Sequence, residues 1–461
     1  MGTQKKKKLP RFKHKGWFAG SSATQIICIS FVLVIAAGTL LLSLPAASKQ
    51  GRLGLVDAMF TATSATCVTG LIVRDTWSQF TFFGQAVLLL LIQVGGLGLV
   101  TLTSFFALAA RRRMGFRDLR LLGESVSADG LSKATEVLKI VIRLAFTFEA
   151  LGAVLLMVAL VPQFGPEGLW VSIFTAISAF CNAGFDLFGR FGAYSSLVPY
   201  VNNYYVQAVI MFMIMAGGLG FMVWVELGEY RKRRRLSLQA QVVLEFSVIL
   251  WVLGALFIGL MEWNNPATMG ELTVPGKIMA ALFQSVSTRT AGMNTIDLEA
   301  CGPVTKLWMS ILQFIGAAPG STGGGVKVTT IAVIILTIRS VAQGRDDCVI
   351  HDHHIESKTI YRALTIIVLG AVAALGSAVV VYYNSAEAVT VIDAIFESCS
   401  AFGTVGLSVG VTGRLNTGAK LLYMLVMFMG RVGPVSLAIS LTAKPDDNKR
   451  KIMPVGHINV G

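Results

Sequence analysis

The sequence is poor in charge. Asp, Glu, Lys and Arg make up 14% of its 461 residues, against about 25% in a soluble globular protein. Histidine is scarce: there are five, and three of them (His351, His353 and His354) sit in one cluster with Asp352, which reads as a solvated loop or partner contact. No helix-forming stretch carries paired carboxylates, so an enzyme working at the bilayer surface lacks the groups it would need. The six cysteines, at positions 28, 67, 181, 301, 348 and 399, show neither metal-ligand nor disulfide spacing and read as small packing groups. No dinucleotide fingerprint and no soluble domain are evident, so nucleotide regulation would have to come from another protein.

Apolar length is what the sequence has. Hydrophobic residues make up 54% of it, and 16–48, 76–110, 191–225 and 363–386 contain no Lys, Arg, Asp or Glu. A membrane-spanning helix needs about 20 apolar residues, so the chain reads as a polytopic membrane protein. Its net charge of +14 comes from basic clusters bordering these runs, at Lys5–Lys8, Arg111–Arg113, Arg231–Arg235 and Lys449–Lys451. That placement fits cytoplasmic topology anchors rather than nucleic-acid binding. The apolar stretch after the basic N-terminus is longer than a signal peptide's and has no convincing small-residue cleavage site, so it reads as a retained helix.

The chain repeats itself. Phe60-Thr-Ala-Thr-Ser-Ala-Thr-Cys-Val-Thr-Gly70 matches Phe174-Thr-Ala-Ile-Ser-Ala-Phe-Cys-Asn-Ala-Gly184 and Phe396-Glu-Ser-Cys-Ser-Ala-Phe-Gly-Thr-Val-Gly406. A weaker copy, Leu282 to Gly292, lacks the serine but keeps the ending. The final glycines lie 114, 108 and 114 residues apart. The expected fold is an all-α membrane protein: four parallel outer helix–re-entrant pore loop–inner helix repeats around one central pore, with eight transmembrane spans. The repeats cover 25–113, 138–235, 244–339 and 360–443, between a basic cytoplasmic tail at 1–24 and a cytoplasmic C-terminal tail at 444–461. Outer helices are expected near 25–45, 138–161, 244–263 and 360–383, and inner helices near 83–110, 205–227, 306–338 and 420–443. Placing both termini and the inter-repeat loops in the cytoplasm puts 30 basic residues inside and 9 outside, which makes every loop open outward.

Each loop runs from a short apolar stretch into an extended tail: Val68, Thr69 and Gly70; Asn182, Ala183 and Gly184; Thr290, Ala291 and Gly292; Thr404, Val405 and Gly406. A ring of such tails can turn carbonyl oxygens toward an axis and replace the hydration shell of a monovalent cation. On these four motifs the chain resembles the Trk/Ktr/HKT superfamily of potassium transporters, and within it the KtrB-type membrane subunits of bacterial Ktr uptake systems. The resemblance covers nearly the whole chain. It implies potassium uptake across the plasma membrane, with the four tails as the selectivity filter and glycine at each family filter position. It also implies a homodimer, and a cytoplasmic ring of RCK-type, KtrA-like subunits that bind ATP or ADP. K⁺ is the transported ion, with sodium as activator or coupled ion a further expectation. A TrkH-like subunit, or one that carries both Na⁺ and K⁺, is the alternative.

A second signal interrupts the third inner helix. Gly316, Ala317, Ala318, Pro319, Gly320, Ser321, Thr322, Gly323, Gly324 and Gly325 lead through Val326 to Lys327, and Pro and clustered Gly disfavour helix by about 1–3 kcal/mol each. A phosphate-binding loop would need adjacent Gly-Lys, and Val326 intervenes. The resemblance makes the segment near 315–327 an intramembrane gate; a packing kink is the other reading. Arg431 corresponds to the family's pore-facing arginine and would join the gate or pair locally. Lys327 marks the gate's cytoplasmic edge, Glu149 is expected to pair with Arg143, and Arg289 to brace outer carboxylates. Asp57, Asp186, Asp297, Asp393 and Glu397 are expected near the outer mouth, with Asp57 and Asp393 as cation-attracting groups or helix caps.

Overall fold

The computed structural model describes residues 23–98, 134–345, 347–351, 353–385 and 389–441. The expected tails at 1–24 and 444–461 and the stretch 99–133 lie almost wholly outside these residues. Four described helices are long and apolar enough to cross a membrane by length and composition: α1 (Ala23–Leu42), α5 (Ala134–Phe164), α9 (Leu238–Glu262) and α13 (Ser357–Asn384). Their outward faces are apolar. Leu33, Val158, Leu260 and Val372 are all at least 60% exposed, a surface that suits a lipid environment rather than water.

After each long helix comes a short one that packs against it: α2 (Leu55–Thr66), α6 (Glu167–Phe180), α10 (Val274–Ser287) and α14 (Val391–Gly403). Thr273 and Thr390 cap α10 and α14 by accepting from the backbone N–H three residues on. Each short helix fully buries a phenylalanine ring four residues before its serine: Phe60, Phe174, Phe283 and Phe396.

A third set follows: α4 (Phe82–Leu97), reached through the single turn α3 (Thr76–Gln79), then α7 (Tyr204–Gly218), α11 (Pro303–Phe314) and α15 (Thr417–Val432). Each of these packs on the short helix of the next unit, α4 on α6, α7 on α10, α11 on α14, and α15 back on α2. The contacts therefore run in a closed cycle.

α4, α7 and α15 end short of the inner helices expected near 83–110, 205–227 and 420–443. α7 stops at Gly218, and α8 (Phe221–Arg233) leaves at 96°. α15 stops at Val432, and α16 (Pro434–Leu441) restarts beyond Gly433. α4 ends at Leu97, and α11 is separated from α12 (Val328–Ala342) by the whole segment 315–327. Gly98, Gly220 and Gly433 hold φ of +81°, +89° and +94°, a region open to glycine and costly to other residues. Beyond α12 a two-residue hairpin, β1 (Val349–Ile350) with β2 (His353–His354), leads into α13.

Candidate functional site: a ring of glycine loops over a broken helix

The four tails meet. Gly70, Gly184, Gly292 and Gly406 line one open vestibule of about 430 Å³. In each tail the glycine and the residue two before it take left-handed backbone: Val68 and Gly70 (φ +57° and +91°), Asn182 and Gly184 (+58° and +71°), Thr290 and Gly292 (+76° and +78°), Thr404 and Gly406 (+51° and +93°). Alternating handedness turns successive carbonyls toward one side, which a regular strand or helix cannot do. The glycines are also crowded. A methyl group on Gly70 would sit 2.6 Å from the Ala183 oxygen, one on Gly184 3.1 Å from the Ala291 oxygen, and one on Gly292 2.5 Å from the Val405 oxygen; on Gly406 it would collide with the Thr69 oxygen. Each glycine faces the middle carbonyl of the next tail around the ring.

A serine on each short helix holds its tail. Ser64 and Ser400 hydroxyls accept from Gly70 and Gly406 N–H at 3.1 Å. Ser178 and Ser287 donate instead, to the Phe185 and Met293 carbonyls. In all four, the middle residue's N–H donates to the same serine's backbone oxygen, at 2.8 to 3.0 Å. Ser287 is the serine that an ungapped alignment leaves out of the third copy. Phe283 and Ser287 keep the Phe-x₃-Ser register of the other copies, and the missing residue falls between serine and glycine. The buried ring at Phe283, one place past Leu282, was the signal for that gap.

Beneath the tails, on the side away from the vestibule, lies the segment 315–327. Gly324 N–H donates to Thr404 Oγ1 at 3.0 Å, and Thr322 Oγ1 donates to the Phe180 carbonyl at 3.1 Å. The segment is tied to the breaks in its neighbours: Ala318 N–H to Gly218 O (3.0 Å), Phe221 N–H to Gly320 O (3.0 Å) and Gly325 N–H to Gly430 O (3.1 Å). Arg431 donates to the Thr322 carbonyl and to Gly95 O, with Gly96 O at 3.3 Å. One guanidinium thus joins the segment to the end of α4. Asn182, with its amide nitrogen turned toward the Ile214 and Ala179 carbonyls, accepts from Thr290 Oγ1 at 3.3 Å.

Several side chains sit elsewhere than expected. Arg289 turns away from the outer carboxylates and donates to Gly316 O at 3.1 Å and Ser247 O at 3.4 Å, because burial among apolar groups leaves carbonyls as its partners. Glu149 accepts from Gln93 Nε2 at 2.8 Å rather than from Arg143. Lys327, the last residue of the segment and the N-cap of α12, folds its side chain back onto Gly323 O at 2.6 Å. Asp57 and Asp393 are not N-caps. They lie in the first turns of α2 and α14, where Lys420 reaches Asp57 at 2.7 Å and Lys306 reaches Asp393 at 2.8 Å. Glu397 is fully buried and accepts from Ser408 Oγ, Val409 N–H and Thr412 N–H, pinning the chain beyond Gly406.

The vestibule's carboxylates are Asp186 and Asp297, together with Asp75 and Glu299, which spacing did not single out. Burial pushes the Asp186 carboxyl up to about 6, against bonds from Phe188 N–H and Ser196 that favour its charged form.

A family model described as TrkH, cation transport protein, matches residues 3–452. The chain belongs to the TrkH family. Among its relatives, the Ktr system potassium uptake protein B of Bacillus subtilis is 35% identical over 95% of this chain and 96% of its own length. The protein of the same name from Vibrio alginolyticus is 36% identical, covering 92% of this chain and 91% of its own. The potassium/sodium uptake protein NtpJ of Enterococcus hirae is 33% identical over 92% and 93%. The crystal structure of the potassium transporter TrkH from Vibrio parahaemolyticus superposes with a TM-score of 0.71, covering 94% of this chain and 87% of that one, at 18% identity. At that identity the likeness shows the TrkH fold alone.

Proposed function

We propose that this TrkH-family chain is the membrane subunit of a potassium uptake system, in which K⁺ passes through a filter formed by the four tails, Val68–Gly70, Asn182–Gly184, Thr290–Gly292 and Thr404–Gly406. The observation that carries the reading is the convergence of four left-handed glycines, each against the next tail's carbonyl, at the floor of an acidic vestibule. Carbonyls replacing hydration oxygens suit a monovalent cation, and nothing in the tails supplies the carboxylates a divalent one prefers. The segment Gly316–Gly325, with Lys327 and Arg431, is the gate. It crosses directly beneath the tails and is held by hydrogen bonds to the breaks after α7 and α15 and, through Arg431, to the end of α4. Uptake is driven by the membrane potential, worth about 2.3 kcal/mol per charge per 100 mV.

Eight spans in four parallel repeats, both termini in the cytoplasm of a plasma-membrane protein, a homodimer and a KtrA-like RCK ring binding ATP or ADP complete the proposal. They are supported by the basic-residue asymmetry and by the relatives named for the Ktr system. A second reading, a subunit that also carries or depends on Na⁺, is favoured by the relative named as a potassium/sodium uptake protein.

The test is Rb⁺ uptake into liposomes that hold the full chain, with Na⁺ or K⁺ as competitor, beside Gly406→Ser. The serine has to adopt φ near +93° against the Thr69 carbonyl, a strain of about 1–3 kcal/mol. K⁺ should compete better than Na⁺ in the wild type, and the margin should narrow about tenfold or more in the variant. Identical competition profiles in both, with the variant folded, would remove the tails from the filter.

A further inference from the structure

The link between α8 and α9 carries a feature unconnected with the ring. Arg234 ends α8 in a left-handed conformation (φ +51°), Arg235 follows, and Ser237 caps α9. With Tyr230, Gln241 and His353 they line an open pocket of about 480 Å³. α9 is long and apolar enough to span a membrane. Its far end, Glu262, accepts from Gly302 N–H on the vestibule's side. The pocket therefore lies about 36 Å away by helix rise, at the opposite edge of the bilayer.

The end of α9 is already occupied. The Glu226 carboxylate takes Ser237 N–H and Oγ, each at 2.8 Å, so the pocket's appetite for anions comes from its side chains and not from the helix. The hairpin that brings His353 to the rim is fixed in place. Cys348 and Ile350 are buried in a cluster with Val242 and Ala332, His351 Nε2 lies 3.0 Å from Glu245, and His353 Nδ1 lies 2.7 Å from the His351 carbonyl. Two guanidinium groups, a phenol, a carboxamide and an imidazole thus surround a space of ligand size.

We propose that this pocket binds a phosphate-bearing anion, with Arg234 and Arg235 as its charge partners and Tyr230 and Gln241 as neutral donors. Guanidinium forks match phosphate oxygens two at a time, and basic pockets at a membrane edge accept lipid headgroups. A free phosphate or nucleotide presents the same oxygens, so the source is settled by the probe.

The experiment titrates the full chain, in non-ionic detergent, with dioctanoyl phosphatidic acid, dioctanoyl phosphatidylcholine, inorganic phosphate and ATP. Saturable binding of phosphatidic acid, weakened at least tenfold in the double variant Arg234→Gln, Arg235→Gln, supports the proposal and names a lipid. Equivalent loss of phosphate or ATP binding, with competition against phosphatidic acid, supports it and names a soluble anion. Gln241→Glu keeps both arginines and adds a carboxylate to the pocket, and it should weaken binding likewise. The proposal falls if no phosphate probe saturates, if phosphatidylcholine binds as well as phosphatidic acid, or if both variants bind undiminished with wild-type unfolding midpoints.

Discussion

Asp186 lines the vestibule two residues beyond Gly184, and its carboxyl titrates near pH 6 because burial opposes its charge. Its folded-state value is raised above the ordinary carboxylate range, so its ionisation works against folding. That cost is absent below about pH 4 and grows as pH rises through 6. The effect on function has the opposite sign. Above pH 6 the ionised group adds negative potential to a mouth shared with Asp75, Asp297, Glu299 and Arg414, and below it that potential is lost. Rb⁺ uptake at low Rb⁺ should fall severalfold as external pH drops from 7 to 5, with a midpoint near 6, and Asp186→Asn should flatten that step. An unchanged midpoint in the variant would assign the titration to another group. Single residues also show how far sequence reading reaches. The tail glycines were legible because spacing repeats, whereas Ser287 was not, since one deleted residue hides its equivalence until the buried Phe283 restores the register.

Among the elements, the segment 315–327 was legible as a break because proline and clustered glycine cannot sustain a helix. The other three breaks were not. Gly95-Gly-Leu-Gly98, Gly217-Gly-Leu-Gly220 and Gly430-Arg-Val-Gly433 look like tolerable helix interiors. The bend follows from a packing fact that no local pattern carries: the first glycine of each motif abuts a carbonyl at the end of a short helix, of Thr66, Phe180 and Phe402 respectively. Side-chain-free backbone is needed there, and the last glycine then turns the chain. Arg431 occupies the second place of the fourth motif and uses the bend to bond both Thr322 and the end of α4. Its removal unties the segment 315–327 from α4. Arg431→Gln should raise Rb⁺ flux through liposome-held protein severalfold, and deleting 318–323 should raise it further. If the segment is only a packing kink, both changes will leave flux unchanged or lower it in folded protein.

At the scale of the whole molecule the question is what keeps four units in one ring. Each seam carries a polar bond between the start of one unit's inner helix and the start of the next unit's short helix. Two are neutral: Trp170 Nε1 to Gln85 Oε1 at 2.8 Å, and Tyr204 to Thr273 hydroxyls at 3.1 Å. Two are ionic: Lys306 to Asp393 at 2.8 Å and Lys420 to Asp57 at 2.7 Å, with side chains only 10–18% exposed. Arg74, 3.5 Å from Asp57, gives the last seam a second cation, so Lys306–Asp393 is the cleaner test. Asp393→Asn leaves Lys306 nearly buried without its counter-charge, and hydrogen bonds to charged groups are worth about 1.5–3 kcal/mol. A double-mutant cycle with Lys306→Met and Asp393→Asn, read by thermal unfolding in detergent, should therefore show coupling of that order. The corresponding cycle at Gln85 and Trp170 should show about 0.5–1.5 kcal/mol. Additive effects at the ionic seam would mean that the ring is held by apolar packing of the inner helices on the short helices alone. Coupling would instead mean that α14, and with it the tail from Thr404 to Gly406, is positioned from the neighbouring unit.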